Sequence, residues 1–490
     1  MSISIRMCSQ GSRAAACRTV LGLLAVLPAT PFSFAAAGTA AAPNILFIMT
    51  DDQGPWSLGV AGDPNARTPH LDQLRTQGAM LTNCYAPTPV CSPARASVLT
   101  SRYGTEVGVL GPVAVTSKVG LSSDLPNWPR LLAQAGYATA LIGKYHLGHL
   151  PDSHPTRLGY QEFSGFLGNG RNSADPQVEI NGQTREIKGW TSDILTDLAL
   201  DFIRRRQDRP WALSLHYWAP HANQAGNSPE GGRTWLPLSP DDWDYFKASD
   251  PRLPAPDYPK LDVRRNKRML REYLGSIHSV DRNVGRLMGL LDELGLTQDT
   301  VVIFTSDHGF NMGHHGIWHK GNGHWLLIDN KGQRRNMWDT SLKVPALVRW
   351  PGRIEAGARV RQLISHLDWF PTLAAVAGVP VPGDAIIRGR NVLPALLGEP
   401  VSWPNEFYAQ QNLSGAAMRS YQTERWKLIR FHHPEMEDEF YDRAADPAES
   451  RNLIASTEPV VRAAIRELDA RLRRSMADIK DPALAKAAAR

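Results

Sequence analysis

An unbroken apolar run, Asn44–Thr50 (Asn-Ile-Leu-Phe-Ile-Met-Thr), ends directly in the pair Asp51-Asp52. A strand that is apolar on both faces belongs in a parallel sheet covered by helices on either side, whereas a half-exposed strand alternates apolar with polar. Tyr137–Gly143, Trp211–Tyr217, Thr300–Ser306 and Pro345–Arg349 repeat the pattern. Between them the period lengthens. Leu270, Leu274, Ile277, Val284, Leu287, Leu291 and Leu294 keep three- and four-residue spacing, which predicts a helix over Leu270–Leu294 with one apolar face. Strands alternating with helices predict an α/β fold: a mixed, largely parallel sheet sandwiched by helices. After Gly398 the texture changes. Short strand-like pieces, Glu406–Gln410, Trp426–Phe431 and Glu439–Tyr441, precede a helix with Val461, Ile465, Leu468 and Leu472 on one face. These predict a smaller C-terminal α+β domain, a short antiparallel sheet plus helix, over residues 396–490, following the larger α/β domain over 38–395.

The amino end reads differently. Arg6, Arg13 and Arg18 appear with no acidic residue, the apolar run Thr19–Leu27 follows, and then the small-residue stretch Ala35–Ala42. That is the pattern of a secretory signal peptide, assigned here to residues 1–37, with an apolar run too short to span a bilayer. Export to the periplasm or medium is therefore expected. No later segment offers a long uncharged apolar stretch, so no membrane association is expected once the leader is removed. Half of the formal net charge of +6 sits in those three arginines, so the apparent basicity carries no nucleic-acid inference. Of the four cysteines, Cys8 and Cys17 leave with the leader. Cys84 and Cys91 remain, close enough in sequence to close a small disulfide loop.

The unusual polar residues fall at the carboxyl ends of the predicted strands, where open parallel sheets bind their ligands. Asp51 and Asp52 follow the first strand, Lys144 and His146 the second, His221 the third, and Asp307-His308-Gly309 the fourth. Singly, each has an ordinary reading: an Asp pair can cap a helix, Gly-Lys can be a solvated loop, and most histidines are satisfied structural residues. Four strand ends carrying such groups together point to a site. Three carboxylates on one rim repel unless a cation sits among them, and their hard oxygens favour calcium or magnesium over zinc. Residues 89–95 read Pro-Val-Cys-Ser-Pro-Ala-Arg, with a helix expected to begin near Ser92 or Pro93. A nucleophile at Cys91 would stand at the positive end of the helix dipole, which lowers a nucleophile's pKa and holds an anion.

The Cys-Ser-Pro-Ala-Arg run resembles the modification site of type I, formylglycine-dependent sulfatases of the alkaline phosphatase superfamily. The likeness covers nearly the whole mature chain: Asn44–Gln53 resembles that family's opening strand, and Thr68-Pro69-His70-Leu71-Asp72 with Gly78 and Asn83 the segment leading to the modification site. Thr305-Ser306-Asp307-His308-Gly309 with His315-Gly316-Ile317-Trp318-His319-Lys320 resembles its second metal and lysine segment. Tyr441-Asp442, Asp446-Pro447 and Asn452-Leu453 resemble the close of its C-terminal domain. The resemblance implies that Cys91 is oxidised to formylglycine by a formylglycine-generating maturation enzyme. It implies one calcium ion per chain, bound by Asp51, Asp52, Asp307, His308 and residue 91; His308 stands where the family has Asn or His. It further implies that Lys144, Lys320 and the metal stabilise the sulfonyl oxygens, that His221 with Lys320 protonates the leaving group, and that His146 is the base that releases sulfate. Arg95, one helical turn beyond Cys91, would orient the nucleophile and offset charge.

The implied function is hydrolysis of sulfate monoesters, with a sulfated carbohydrate preferred as substrate over a simple aryl sulfate. Arg171, Trp218, Asn223, Asn311, Trp318 and His324, with Trp190 and Trp325, are candidates to contact the leaving group, since indole faces and amides suit a sugar ring. The stretch Ala222–Asp262, rich in Pro, Gly and Asp, is expected to form a rim over the pocket. Four alternatives stand beside this reading. One is an arylsulfatase of broad specificity, and another a formylglycine-dependent phosphodiesterase or phosphonate monoester hydrolase. A non-catalytic glycan-binding relative would follow if Cys91 were never oxidised. A two-zinc phosphatase would have to recruit His314, His315, His366 and Asp368, the last two of which look like a helix start.

Overall fold

The computed structural model describes residues 42–170, 172–223, 233–413, 416–433 and 436–487; the expected leader, Arg171 and residues 224–232 of the expected rim lie outside the described residues. Strands run in chain order as β1 Asn44–Thr50, β2 Ala79–Tyr85, β3 Ala138–Lys144, β4 Glu162–Phe166, β5 Gln177–Ile180, β6 Gln183–Glu186, β7 Trp211–His216 and β8 Thr300–Ser306. They continue as β9 Asn311–Met312, β10 Ile317–His319, β11 His324–Trp325, β12 Ala346–Arg349, β13 Ala358–Ser365, β14 Phe407–Leu413, β15 Ala416–Gln422, β16 Trp426–His432 and β17 Glu439–Asp442. Among the described residues the main sheet has ten strands, ordered β13-β2-β12-β8-β1-β7-β3-β4-β5-β6. Its centre, β8-β1-β7-β3-β4, is parallel throughout. The β12 strand, expected to resemble the parallel ones, runs antiparallel to both β8 and β2. It returns from β8 through the small sheet β9–β11 rather than through a crossover helix, and an antiparallel neighbour needs no such helix.

The unbroken apolar runs have the predicted cause. Ile45, Phe47 and Met49 of β1 face one core, with Ala94, Val98 and Leu99 of the helix α2 (Cys91–Thr100) and Trp128 of α3 (Trp128–Gln134). Leu46 and Ile48 face the other, packed with α4 (Thr191–Arg205) and with Val280, Val284, Leu287 and Leu291 of α6 (Val263–Glu293). Helix α6 starts a full two turns before the predicted Leu270. Its first residues, Val263-Arg-Arg-Asn-Lys-Arg, show no apolar period, yet the Asp262 side chain caps them by accepting the Arg265 N–H at 3.1 Å. The α6 end of this layer also supports α1 (Pro69–Thr76), whose first-turn N–H groups at Leu71 and His70 donate to the buried Asp281 carboxylate. A shorter helix, α5 (Pro240–Ala248), lies between α4 and α6 in sequence.

The C-terminal part is the smaller antiparallel sheet β14-β15-β16-β17, with the helix Pro459–Asp478 burying Val461, Ala464, Leu468, Leu472 and Met476. The β15 strand escapes an apolar-pattern search because its buried positions include Arg419 and Gln422; Arg419 is fully buried against Asp481, with two contacts of 2.6 Å. Among the described residues no helix is long and apolar enough to cross a membrane.

Candidate active site

Four strand ends deliver the site. Parallel pairing of β1 with β8 sets Asp51-Asp52 beside Asp307, whose N–H donates to the Thr50 carbonyl (3.0 Å) and whose Oδ1 accepts the Asp52 N–H (3.2 Å). Strand β3 ends in Lys144; its Gly143 is obligatory, since a Cβ there would lie 1.9 Å from the His216 carbonyl of β7. Cys91 opens α2 itself, one residue before the expected start, so its own N–H belongs to the unpaired first turn. Three non-glycine residues in the left-handed region, Asp52 (φ 68°), His146 (φ 60°) and His319 (φ 85°), lie at this rim. Such backbone costs energy and persists where the surroundings over-determine it.

Around the Cys91 sulfur stand Lys320 Nζ (2.9 Å), Asp51 Oδ1 (3.3 Å) and His308 Nε2 (3.4 Å). Lys320 also reaches Asp52 Oδ1 (2.5 Å) and His308 Nε2 (3.2 Å). The Lys144 ammonium contacts the Asp51 carboxylate and the Asn169 side-chain oxygen. Arg95 donates through Nε to Asp307 (3.1 Å) and through Nη1 to the Lys144 carbonyl (2.8 Å). All of these side chains but the half-buried Asn169 are buried. Burial alone disfavours carboxylate charge, but Lys144, His221, Arg95 and Lys320 hold Asp51 well below its usual range, and Lys320 with His221 does the same for Asp52. Asp307 goes the other way: burial and then the Asp51 charge push it up. Cys91 departs from the helix-dipole expectation. Burial and the Asp51 carboxylate push its thiol up to about 12, so the protein does not hold a thiolate there.

One ligand atom each from Asp51, Cys91, Asp307 and His308 lies within 4.8 Å of the others, and Asp51, Asp52 and His221 form an overlapping group. His308 Nδ1 engages the Gly309 carbonyl (2.9 Å), which turns Nε2 inward as a lone-pair donor. Three carboxylates and an imidazole nitrogen suit a hard divalent cation of the calcium or magnesium kind. Lys144, Lys320 and Arg95 already answer much of the expected carboxylate repulsion, so the donor set rather than uncompensated charge argues for the ion.

His146 is 4 % exposed, its Nδ1 has no partner, and burial followed by the Lys144 charge holds it well below its usual range, hence neutral. With Asn169 it lines a cavity of about 880 Å³ that lies between Val113–Val115 and the β5–β6 hairpin and meets the site through these two residues. His221 Nε2 lies 3.6 Å from Asp52 Oδ2, its Nδ1 engages the Ala222 carbonyl (2.7 Å), and burial lowers its pKa to about 4. Among the leaving-group candidates, Trp218 packs 5.7 Å from the His221 ring, and Trp318 stacks on His324 at 5.5 Å. Asn223 and Asn311 turn their amide NH2 groups to protein partners, although the buried Oδ1 of Asn311 has none. Asn223 joins Ser173 (2.9 Å) to Leu236 (2.5 Å), and Asn311 joins the His319 carbonyl to Ser341 (both 2.8 Å). Arg171 lies outside the described residues.

Cys84 and Cys91 are both free, so the disulfide alternative is not formed. Of the residues a two-zinc site would recruit, His314 packs tilted against Trp56 (4.8 Å), His315 stacks on Trp338 (3.9 Å), and Asp368 completes a capping box with Ser365; none joins the cluster. Sequence reasoning missed Asn169, which follows a short strand with no distinctive pattern. It also missed Tyr273, whose hydroxyl donates to the Asp52 carbonyl (2.8 Å) and accepts from Gly54 N–H (3.0 Å) while its ring reads as one more apolar position of α6.

A family model described as Sulfatase matches residues 43–379, and one described as N-sulphoglucosamine sulphohydrolase, C-terminal, matches 329–478. The N-acetylglucosamine-6-O-sulfatase of Bacteroides thetaiotaomicron is 28% identical, over 85% of this chain and 83% of that protein. The Homo sapiens N-acetylgalactosamine-6-sulfatase is 31% identical, over 80% and 73%. The solved structure of BT4656 in complex with its substrate D-glucosamine-2-N,6-O-disulfate superposes with a TM-score of 0.77 at 26% identity, covering 90% of this chain and 99% of that one. A phosphonate monoester hydrolase from Silicibacter pomeroyi shares the fold at 21% identity (TM-score 0.67; 90% and 96% covered).

Proposed function

The chain belongs to the sulfatase family, and on that premise we propose that it is exported and desulfates a sulfated carbohydrate, using residue 91 after oxidation to formylglycine and one calcium ion. The observation that carries this reading is the convergence on Cys91 of two lysines, an arginine, three carboxylates and His308, around a sulfur held as a thiol rather than a thiolate. A thiol in that state is a poor nucleophile, which supports a chemical change at this position. Calcium held by Asp51, Asp52, Asp307 and His308 would supply positive charge beside the sulfonyl oxygens, and a hydrated aldehyde at residue 91 would supply the attacking hydroxyl.

The remaining steps fall to the chain's own side chains. Lys144 and Lys320 bind and orient the sulfonyl oxygens, and burial of both keeps water from screening them. Arg95 ties Asp307 to the Lys144 carbonyl, so this member of the carboxylate group around residue 91 cannot swing away. Charge builds on the bridging oxygen as the ester breaks. Lys320, with His221 when protonated, offers the proton there. His146, neutral and carrying an unpartnered nitrogen, accepts the proton whose removal releases sulfate. The names of the relatives, which act at 6-sulfated amino sugars, favour a sugar leaving group.

One screen tests the reading: protein coexpressed with a maturation enzyme is offered 6-sulfated amino sugars, 4-nitrophenyl sulfate and a phosphate diester, before and after chelation, while the residue-91 peptide is weighed. Turnover of the sulfate esters, lost on chelation and accompanied by an aldehyde mass, is the expected result. Faster cleavage of the diester, or full activity with an unmodified cysteine, would overturn it.

A further inference from the structure

Resting on the sulfatase reading, we propose that the leaving group carries a second anion, a carboxylate or a sulfate, and that Arg265 together with Arg233 binds it on the His319–His324 side of the reacting centre. Arg265 sits in the first turn of α6 and is only 8 % exposed, yet its Nε and Nη1 have no hydrogen-bond partner. A guanidinium cannot shed its proton, so a buried one without an acceptor is costly and implies a partner that is not always present.

The nearby acids are already engaged. Asp262 caps α6 by accepting the Arg265 backbone N–H (3.1 Å) and pairs with Lys331 (3.3 Å). Glu272 pairs with Arg268 (2.8 Å) and accepts from Thr234 Oγ1 (2.8 Å) and Trp235 N–H (3.0 Å). Arg268 Nη2 in turn reaches the Arg233 carbonyl (3.5 Å). Arg233 is half-buried, and neither it nor Arg265 has an acidic partner among the described residues.

A chain of contacts ties this pair of cations to the chemistry. Lys320 adjoins His319, whose ring lies 5.6 Å from that of His324, and His324 stacks on Trp318, whose buried Nε1 is also without a partner. The Asp262 N–H donates to the Leu326 carbonyl (2.7 Å), which sets the first turn of α6, with Arg265, beside the segment that carries His324, and Arg268 of the same helix reaches back to the Arg233 carbonyl. Burial, followed by the charges of Arg233 and Arg265, holds His324 below its usual range, so it adds no positive charge of its own. A neutral sugar hydroxyl does not balance two guanidiniums. A carboxylate or sulfate does, with bidentate geometry. The cavity beyond His146 has the opposite character, with Asp175, Glu179 and Glu186 on its wall. Lys320 and His221 mark the leaving-group side, which places the second anion on the departing sugar rather than on the transferred sulfate.

The test compares kcat/KM of matured protein on matched pairs. Glucosamine-2-N,6-O-disulfate is set against N-acetylglucosamine 6-sulfate, and a 6-sulfated amino sugar linked to glucuronate against one linked to galactose. 4-Nitrophenyl sulfate is the reference. The anion-bearing member of at least one pair should be preferred about tenfold or more, and the pair that shows it identifies sulfate or carboxylate. Arg265→Gln and Arg233→Gln should each lower kcat/KM on that member by about ten- to a hundredfold, the order expected for losing a hydrogen bond to a charged group, and leave 4-nitrophenyl sulfate unchanged. If Arg265→Gln does not fold, the half-buried Arg233→Gln decides. No preference in the wild type, or equal losses on every substrate, overturns the subsite while nitrophenyl sulfate turnover keeps the sulfatase reading. No turnover of any sulfate ester removes both.

Discussion

His146 and His221 look alike in the sequence, each a few residues past a strand end (two past β3 and five past β7), but the protein treats them differently. His146 sits in left-handed backbone with a free Nδ1, neutral and facing the cavity, whereas His221 commits Nδ1 to a carbonyl and points Nε2 at Asp52. Their losses should therefore differ in kind. His146→Ala should release about one equivalent of nitrophenol from 4-nitrophenyl sulfate and then stop, because only the step that frees sulfate needs its base; a rapid-quench trace without that burst would remove the role. His221→Ala should be slowest on sugar sulfates, whose alkoxides leave as strong bases, and least affected on nitrophenyl sulfate. A leaving-group series with equal losses throughout would reassign the proton source to Lys320 alone. What sequence shows of such residues is identity and position after a strand, which was enough to place Asp51, Asp52, Lys144 and Asp307 at one rim. It does not show direction. Asn223 and Asn311 carry the amides a sugar would want and turn them to Ser173 and Ser341, while Arg265, hidden among the other basic residues that open α6, gives no sign that it is left without a partner.

At the scale of elements, the C-terminal sheet is held to the body by buried charge. Lys427 of β16 is fully buried between Asp339 (3.0 Å) and Glu449 (2.8 Å), and Asp339 also takes Arg443 (2.6 Å) and the Tyr85 hydroxyl (3.0 Å) from the end of β2. Lys427→Met should destabilise the protein by about 3–5 kcal/mol, because it removes a buried partner from both carboxylates and leaves Arg443 to face Asp339 and Glu449 together. Chemical denaturation would show it as a lower midpoint, and a change below about 1 kcal/mol would mean that the network relaxes around the loss. The same chemistry explains which elements were legible. Apolar runs announced β1, β3, β7 and β8 within a residue of their ends. The strand β15, with Arg419 and Gln422 buried inside it, and the short hairpin β5–β6, with its largely exposed β6, have no apolar period to read.

For the whole molecule, stability should depend on pH in a direction set by its buried acids. Burial pushes Asp281 from 3.8 up to about 6, although the N–H groups of Leu71 and His70 favour the anion. A raised carboxyl pKa means that the native state holds its proton longer than the unfolded chain. The contribution of this group is therefore full below about pH 3.8 and is lost as pH rises through about 6, up to about 3 kcal/mol in all. Unfolding free energies of the wild type and Asp281→Asn, measured from pH 4 to 7, should show the wild type losing ground against the variant as pH rises; a constant difference would mean that Asp281 stays ionised. The fold class itself was readable because strand and helix periods alternate along the chain, whereas the antiparallel return of β12 depends on a connection whose path no period encodes. One last consequence comes from Cys91, only 3 % exposed at the head of a helix that is buried along its whole length. If residue 91 is oxidised as proposed, an enzyme acting on this thiol could not reach it once α2 had docked, and conversion would have a deadline. The share of working molecules would then be set by a race between modification and folding, and a chain that folded first would be sealed with the wrong atom in its centre.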